Sequence, residues 1–344
     1  MTRFVQLHLL VSYPPANLNR DDLGQPKTAR MGGVERLRVS SQSLKRAWRT
    51  SELFQQHLSG TIGTRTRRLG YEARDALLAA GVAEKSAKEW AGKIAAVYGA
   101  LRKDKPLEIE QLVHIAPQER ATLDALIAAL AARKEAPTDA ELDALLHAQT
   151  AVDIAMFGRM LASKTEHNSE AAVQVAHALG VHASVIEDDY FTAVDDLNLD
   201  DPGAAHIGET GFAAAVFYQY VCVDRDLLKR NLGGDEQLTQ KALRALVETA
   251  HKVGPSGKQN SFASRAYAHY SMVEKGTQQP RSLSLAFVKP VSGADYAADA
   301  VAALEKVRDN MDQVYGACAD ARCHLDVLKG EGNLADLIDF AIVE

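Results

Sequence analysis

The chain alternates between two hydrophobic periodicities, and this alternation restricts its fold more than any other feature. Apolar residues recur at every second position in predicted strands and about every 3.6 positions in predicted helices. The predicted extended segments are 4–11, 34–40, 152–160, 173–181, 212–223, 266–273 and 282–288. Helices are predicted at 41–58, 235–253 and 296–315. This order predicts an α+β fold, and a βαββαβ core with insertions fits it.

Residues 71–150 differ from the rest because they are rich in alanine and leucine and carry only helical periodicity. Helices are predicted there at 71–80, 83–101, 118–133 and 138–149. Polar and proline-containing breaks separate these segments. We therefore predict a helical subdomain that is inserted into the α+β core.

The composition excludes several classes of protein. No apolar run approaches the roughly 18 residues that a transmembrane helix needs. The N-terminal run 4–11 is broken by Gln6 and His8, so a signal peptide is not expected. Three cysteines are too few for a disulfide framework and are typical of a reducing compartment. These features predict a cytoplasmic protein without a membrane segment.

Charge is segregated along the sequence. The formal net charge is −6, which by itself disfavours a nucleic-acid-binding protein. Residues 1–70, however, contain 12 basic and 4 acidic residues, a net charge of +8. Residues 182–210 contain 8 acidic residues and neither lysine nor arginine. This asymmetry indicates a polyanion-binding region in an otherwise acidic protein, although a solvated basic face would give the same count.

The segment 40–49 contains the strongest local signal. On a helical wheel Leu44 and Trp48 fall within the arc that can face a core. Three cations lie on the opposite side: Lys45, Arg46 and Arg49. Serine hydroxyls and unpaired backbone N–H groups at the N-terminus of this helix are the usual geometry for binding phosphate. The alternative interpretation is an amphipathic surface helix with a serine cap and no ligand.

More cations precede this helix: Arg20, Lys27, Arg36 and Arg38. Many separate cations along a long surface suit a polymer backbone better than one nucleotide. Neither a Walker-type loop nor a G-x-G-x-x-G motif is present, so a mononucleotide enzyme has little support.

Several motifs occur in order along most of the chain. They are 17–22 (NLNRDD), 32–33 (GG), 36–47 (RLRVSSQSLKRA), 158–160 (GRM), 176–178 (AHA), 191–196 (FTAVDD) and 231–234 (NLGG). In these motifs the sequence closely resembles the CasC family, the backbone subunits of the type I-E CRISPR Cascade complex. Residues 60–150 do not match closely, so no functional residue is transferred there.

The resemblance implies an RRM-like (ferredoxin-like) palm at 1–58, 151–181 and 211–344. It also implies helical fingers at 59–150 and a thumb β-hairpin at 182–210. Such a subunit is not catalytic: it polymerises along CRISPR guide RNA and presents the bases for pairing with target DNA in antiviral defence. The implied partners are further copies of the chain, other Cascade subunits and a recruited helicase-nuclease, without a cofactor or metal.

The resemblance also implies the residues that bind RNA. The palm groove would hold phosphates through Arg20, Lys27, Arg38, Ser40, Gln42, Lys45, Arg46 and Arg49. Phe191 on the thumb and Met160 near its base would wedge at a displaced nucleotide. Without the resemblance, these two side chains would be interpreted as core residues. Lys258 lies in a turn similar to a Pro-Gly-x-Lys-Gln stretch of the family, and a solvated turn is the other interpretation.

Two further functions stay open. Asp21 or Asp22 could serve an Mg²⁺-dependent ribonuclease, since related subunits of type III complexes cut RNA with a loop aspartate. Alternatively, the acidic hairpin could bind a basic partner without RNA. Cys318, Cys323 and His324 lack the second ligand pair of a structural zinc site. His177 and His182 are interpreted as packed or surface histidines rather than metal ligands.

Overall fold

The chain divides into two units, each with a hydrophobic core of its own. The structure, a computed structural model, describes residues 2–146, 151–162, 164–194 and 204–343. The first unit comprises Met1–Phe54, Val175–Val223 and Leu243–Glu344. The second comprises Gln55–Gln174 and Asp224–Ala242. The predicted fingers at 59–150 fall within the second unit, and the finer division into palm, fingers and thumb stays a prediction.

Strands and helices alternate along the chain. The strands are β1 (Phe4–Ala16), β2 (Thr28–Met31), β3 (Val34–Val39), β4 (Thr64–Thr66), β5 (Val113–Ile115), β6 (Val173–Val175), β7 (Ala178–Gly180), β8 (Glu187–Val194), β9 (Ala204–Asp224), β10 (Ala268–Gly276) and β11 (Ala321–Asp326). The helices are α1 (Ser41–Thr50), α2 (Glu52–His57), α3 (Leu69–Ala79), α4 (Glu84–Tyr98), α5 (Pro117–Arg133), α6 (Asp139–Ala144), α7 (Val152–Phe157), α8 (Arg225–Asn231), α9 (Glu236–Lys252), α10 (Gln259–Phe262), α11 (Tyr296–Tyr315) and α12 (Leu334–Ile342). The predicted α+β class is confirmed.

The first unit is built on a sheet in the order β11-β10-β1-β9-β7-β3-β2. Antiparallel registers join β1 to β10, β10 to β11, β9 to β7, β7 to β3 and β3 to β2. One core combines Leu10, Tyr218 and Met272 from the strands with Phe287 and Leu304. Apolar side chains at alternate positions of these strands therefore hold α11 and the Ser284–Phe287 turn against the sheet.

The second unit has a mainly helical core. Side chains of α3, α4 and α5 meet there, among them Leu77, Trp90, Ile94 and Leu130. A short hairpin pairs β4 with β5 beside these helices. In the same unit the carboxylate of the buried Asp153 accepts a hydrogen bond from the Gly63 N–H at 2.8 Å. The Ala- and Leu-rich composition of 71–150 thus gives the predicted helices.

Several predicted elements differ from the structure. The helix predicted at 41–58 is interrupted at Ser51, whose hydroxyl donates to the Trp48 carbonyl and accepts from the Phe54 N–H. Residues 152–157 form α7 instead of a strand. The prediction was wrong because the segment is buried on nearly all sides, and an apolar run without a polar face does not reveal its period. Residues 284–287 form a 3₁₀ turn instead of a strand, and β11 and α12 were not predicted.

Four thumb aspartates of the sequence prediction, Asp195, Asp196, Asp200 and Asp201, lie outside the described residues. So do residues 147–150, at the end of a predicted helix. In the described part of the chain no helix is long and apolar enough to cross a bilayer. The cytoplasmic location stays a prediction.

Candidate nucleic-acid interface

The loop before β2 is fixed to the start of α1 by one asparagine. The side-chain oxygen of Asn19 accepts a hydrogen bond from the Ser40 N–H at 2.9 Å, and its backbone carbonyl accepts from the Lys27 N–H at 2.8 Å. The Arg38 N–H in turn donates to the Lys27 carbonyl at 2.8 Å. Lys27, Arg38 and Ser40, which the sequence separates, therefore lie side by side. Arg20 lies in the same loop and is exposed.

Helix α1 is capped at one end and anchored along one face. The Ser40 hydroxyl accepts from the Ser43 N–H at 3.3 Å, the usual arrangement of a serine N-cap. Leu44 and Trp48 are buried, and the Trp48 indole N–H donates to the Val253 carbonyl at 3.1 Å. The anchored face fixes the rotation of the helix about its axis. The polar face is consequently held in one orientation.

The outer face of α1 contains the polar residues of the prediction. Gln42 and Arg46 are exposed, and Lys45 and Arg49 are partly buried. Burial lowers the pKa of the Lys45 ammonium group. Lys45 and Arg46 lie in the middle of α1, and Arg49 lies in its last turn, where the helix dipole favours a cation. Three cations along one face of a short helix suit an anionic ligand that extends along the helix.

His177 lies at the N-terminus of α1, a position that sequence reasoning missed. Its Nδ1 accepts a hydrogen bond from the Ser41 N–H at 3.1 Å and lies 3.4 Å from Nη1 of Arg38. Burial first, and then the charges of Arg38 and Lys27, lower the pKa of His177 from its ordinary value. The neutral ring thus lies beside the Ser41 N–H group and near the cations Arg38 and Lys27, which are groups that can bind an anion. The only available signal in the sequence was the 176–178 motif.

Arg36 was counted among the cations before α1 that favour a polymeric anion, and the structure corrects this interpretation. Its side chain is fully buried. The guanidinium group donates to the carbonyl oxygens of Gly180 at 2.9 Å and Phe287 at 3.0 Å. Arg36 therefore joins β3 to β7 and to the turn beneath it, and it is a structural residue.

A cleft of about 850 Å³ borders the C-terminal end of α1. Its wall includes Thr50, Lys252 and the exposed Arg265, and neither of these two cations was predicted from the sequence. Lys258 lies in the adjoining turn with a left-handed backbone, at φ 52°. Strain of this kind in a residue other than glycine concentrates at binding sites. The turn packs closely on Leu18, since a β-carbon at Gly257 would come within 2.3 Å of the Leu18 carbonyl oxygen.

Phe191 lies on the hairpin formed by β8 and β9. Its ring covers Gly208, the residue opposite it in the antiparallel register. A β-carbon at Gly208 would come within 2.3 Å of Cζ of Phe191. The side chain of Phe191 is 42% exposed. It therefore presents an aromatic surface outside the hydrophobic core.

Met160 belongs to the second unit and is 73% exposed. The residue before it, Arg159, donates to the carboxylate of the buried Glu119 at 2.7 Å. Arg159 also pairs with Ser169 through two backbone hydrogen bonds. The backbone that carries Met160 is thus held in place, while its side chain is available for contact.

Of the two carboxylates that were considered for a nuclease, Asp21 has a local role in the loop. Oδ1 of Asp21 accepts hydrogen bonds from the N–H groups of Leu23 and Gln25, both at 2.9 Å. Asp22 is exposed. Among the described residues, no group of three or more His, Cys, Asp and Glu side chains could hold a metal ion.

The chain matches the CT1975-like protein family over residues 5–338. It belongs to this family. It is 30% identical to a chain of a "CRISPR RNA-guided surveillance complex, pre-nicking", with a TM-score of 0.86 over 98% of this chain and 99% of that one. A chain of another "CRISPR RNA-guided surveillance complex" is 27% identical, with a TM-score of 0.63 over 98% of both chains. Comparison with curated protein sequences gives no significant match.

The predicted resemblance is thereby confirmed at the level of the CT1975-like family and of chains in CRISPR surveillance complexes. Because the alignments cover almost all of the chain, they include both structural units.

Proposed function

We propose that this CT1975-like chain is a non-catalytic backbone subunit of a type I-E Cascade complex. Its first unit, with an RRM-like palm, binds the phosphates of a guide RNA. Successive copies polymerise along that RNA and present its bases to target DNA. The further partners are other Cascade subunits and a recruited helicase-nuclease in the cytoplasm. The similarity to surveillance-complex chains over the whole length supports this proposal.

One observation carries the RNA-binding part of the proposal. Lys27 and Arg38 lie beside the capped N-terminus of α1, and Arg46 lies on the exposed face of the same helix, whose orientation is fixed by its buried face. Phosphate oxygens accept hydrogen bonds from backbone N–H groups, hydroxyls and cations together. A groove built from such groups reads the backbone and not the bases. Sequence is then read by base pairing with the guide.

The remaining site residues have separate roles in the proposal. Arg20, Gln42, Ser40, Lys45 and Arg49 extend the groove along the loop and the helix. Lys258 approaches the backbone from the turn after α9. Phe191 and Met160 contact a displaced nucleotide through exposed apolar surface, since a segment rich in carboxylates does not attract RNA by charge.

The non-catalytic assignment rests on the loop that contains Asp21. Its Oδ1 accepts two backbone hydrogen bonds that close the turn. A carboxylate in this position supports the loop, and a metal-dependent nuclease would need it directed toward a bound cation. Incubating the purified chain with guide RNA and Mg²⁺ tests this assignment: we expect intact RNA, and cleavage that is lost in Asp21→Ala or Asp22→Ala would contradict it.

Removal of the three α1 cations tests the groove. We expect the triple variant Lys45→Gln, Arg46→Gln and Arg49→Gln to lose affinity for a guide-length RNA by about a hundredfold or more, because charged hydrogen bonds to phosphate are lost. The slope of log affinity against log salt should become shallower by about 2, at about 0.7 per phosphate contact. Fluorescence anisotropy at several salt concentrations measures both quantities.

A matched control removes three exposed lysines elsewhere: Lys241→Gln, Lys289→Gln and Lys306→Gln. It lowers the net charge by the same amount and should leave both the affinity and the salt slope near the wild-type values. Circular dichroism and thermal unfolding of both variants establish that they fold. Equal RNA affinity in the two variants would overturn the groove assignment. A guide of unrelated spacer sequence should bind as tightly as the first.

A further inference from the structure

We propose that the first unit contains a binding site for an uncharged planar ring that carries a single N–H donor, such as an indole. The site is an open cavity of about 350 Å³ between the C-terminal end of α9, the start of β10 and the segment that joins β11 to α12. Small-molecule sites have volumes of about 300–1,000 Å³. The residues that line the cavity are distinct from those of the α1 groove, so the inference goes beyond the proposed function and does not depend on it.

His251 supplies a hydrogen-bond acceptor to the cavity wall. The residue is only 4% exposed, and Nδ1 donates to the Val247 carbonyl of the same helix at 2.7 Å. Nδ1 therefore carries a proton, and burial lowers the pKa of His251 to about 4, so the ring is neutral at neutral pH. Nε2, on the opposite edge of the ring, is left as an acceptor. Within the part of the chain that the structure describes, no group donates to it.

The unpaired nitrogen distinguishes His251 from two charged residues of the same wall. The Lys252 ammonium group donates to the Glu248 carboxylate at 2.7 Å, and the Lys329 ammonium group lies 3.0 Å from the Asp326 carboxylate. These pairs neutralise their charges, which disfavours a charged ligand. A buried acceptor without a donor costs stability, whereas a ligand N–H group would satisfy it.

The remaining wall is mainly apolar. Ala268 and Leu325 are buried, and Leu334 is half-buried. The Tyr267 ring is 66% exposed beside the cavity, and an exposed aromatic face can stack on a planar ligand. Carbon-rich walls would leave the several ring nitrogens of a purine unpaired. They therefore favour a ring such as indole, whose one polar group is a donor.

The segment after β11 gives the cavity a fixed wall. Two backbone hydrogen bonds of 2.9 Å join Asp326 and Glu331, one in each direction. The side chain of Glu331 is exposed, and its Oε2 lies 3.8 Å from Nε2 of His324. Gly330 and Gly332 both have φ 70°, and a β-carbon at Gly332 would come within 2.4 Å of the His324 carbonyl oxygen. The backbone thus shapes the cavity before a ligand binds, which lowers the cost of binding.

Two rings of nearly the same shape test the site. Indole carries an N–H donor, and benzofuran has an oxygen atom in its place. NMR titration of the full chain measures both dissociation constants. We expect indole to bind with a dissociation constant of about 1 mM or lower, and about tenfold more tightly than benzofuran, because only indole donates to Nε2. The ¹⁵N resonance of the His251 Nε2 should shift as indole saturates the chain, and a histidine with only a packing role would not respond to the donor.

Two variants separate the acceptor from the stacking surface. His251→Phe keeps an aromatic ring and removes the acceptor, so it should bind indole and benzofuran equally. Its thermal unfolding temperature should equal or exceed that of the wild type, because an unpaired buried nitrogen is removed. Tyr267→Ala should weaken both rings about fivefold and keep the preference for indole. The control is Tyr315→Ala, which removes another exposed tyrosine, at the end of α11, and should bind like the wild type.

Three results would overturn the inference: equal affinity of the wild type for the two rings, no saturation by indole at about 5 mM, or a preference for indole that persists in His251→Phe. So would adenine that binds as tightly as indole, since that result assigns the cavity to a nucleobase. Both a free molecule and a tryptophan side chain carry an indole ring. N-acetyltryptophanamide that binds more tightly than indole supports the site with a peptide as its source, and weaker binding supports it with a free molecule.

Discussion

The β3–α1 segment and the β8–β9 hairpin carry opposite charges, and they hold their side chains in different ways. In β3–α1, Arg36 and Trp48 are fully buried, and the polar residues of α1 lie on the face away from this anchor. In the hairpin, Tyr190 is 64% exposed and Phe191 is 42% exposed. A surface that binds a ligand in one geometry is anchored to the core, whereas the hairpin presents side chains that contact one another or solvent. Substitutions should therefore separate stability from binding in β3–α1 and affect mainly binding in the hairpin.

The largest expected effect is at Arg36. We expect Arg36→Met to lower the free energy of unfolding by about 3–5 kcal/mol, because buried carbonyl oxygens of Gly180 and Phe287 lose their donor. Arg38→Met, two residues along the same strand, should change it by less than about 1 kcal/mol and weaken RNA binding instead. Urea unfolding measures the first quantity and anisotropy the second. Similar stability losses in both variants would show that the anchor extends to Arg38.

A substitution at Phe191 tests whether the hairpin acts in binding rather than in stability. Because a ring that stacks on a base contributes about 1–3 kcal/mol, Phe191→Ala should weaken cooperative assembly on guide RNA by roughly 5- to 150-fold. The free energy of unfolding should change by about 0.5 kcal/mol or less. Gly208→Ala should give an intermediate loss, since the added methyl group displaces the ring without removing it. Sedimentation on RNA and thermal unfolding of the free chain measure the two effects.

Tyr190→Ala is the matched control, since it removes an exposed aromatic ring from the neighbouring position of β8. It should leave assembly close to that of the wild type. If thermal unfolding of Phe191→Ala falls by several degrees while assembly holds, Phe191 supports the fold and the contrast between the two regions is lost.

The two arginines of β3 show how far the sequence could lead. Strand periodicity places Arg36 and Arg38 on the same side of β3. It cannot show that a turn about 250 residues further along the chain covers Arg36 while Arg38 lies beside the start of α1. The cap and the faces of α1 were predictable because they depend on neighbours within four residues. Features that depend on distant segments were not predictable from the sequence.

His177 and α7 illustrate the same limit. The contact of His177 with the Ser41 N–H joins residues 136 positions apart, so no local pattern predicts it. Residues 152–157 are almost entirely apolar, and a segment buried on all sides has no polar face from which a period can be determined. Helix α5, by contrast, buries Leu123, Ile127 and Leu130 at helical spacing, and it was predicted as a helix.

The smallest expected effect is a pH dependence at His177, and it tests whether the groove is built to receive an anion. Burial, Arg38 and Lys27 lower its pKa, so on acidification the unfolded chain binds a proton before the folded chain does. The stability contribution of the neutral ring is therefore complete above about pH 6.5 and is lost as pH falls through the lowered pKa. His177→Gln keeps an acceptor for the Ser41 N–H but does not titrate. It should lose less thermal stability than the wild type between about pH 7.5 and about pH 5.5.

Bound RNA should reverse the lowering of the His177 pKa. A phosphate beside the ring offsets the charges of Arg38 and Lys27 and raises the pKa of His177, so RNA binding should take up a proton in mildly acidic buffer. NMR titration of the imidazole with and without RNA measures the change directly. His324→Gln, at an exposed position of β11, should leave the difference between free and bound chain unaltered. An imidazole that titrates identically with and without RNA would place the phosphates away from the N-terminus of α1, and the groove would then follow the outer face of the helix alone.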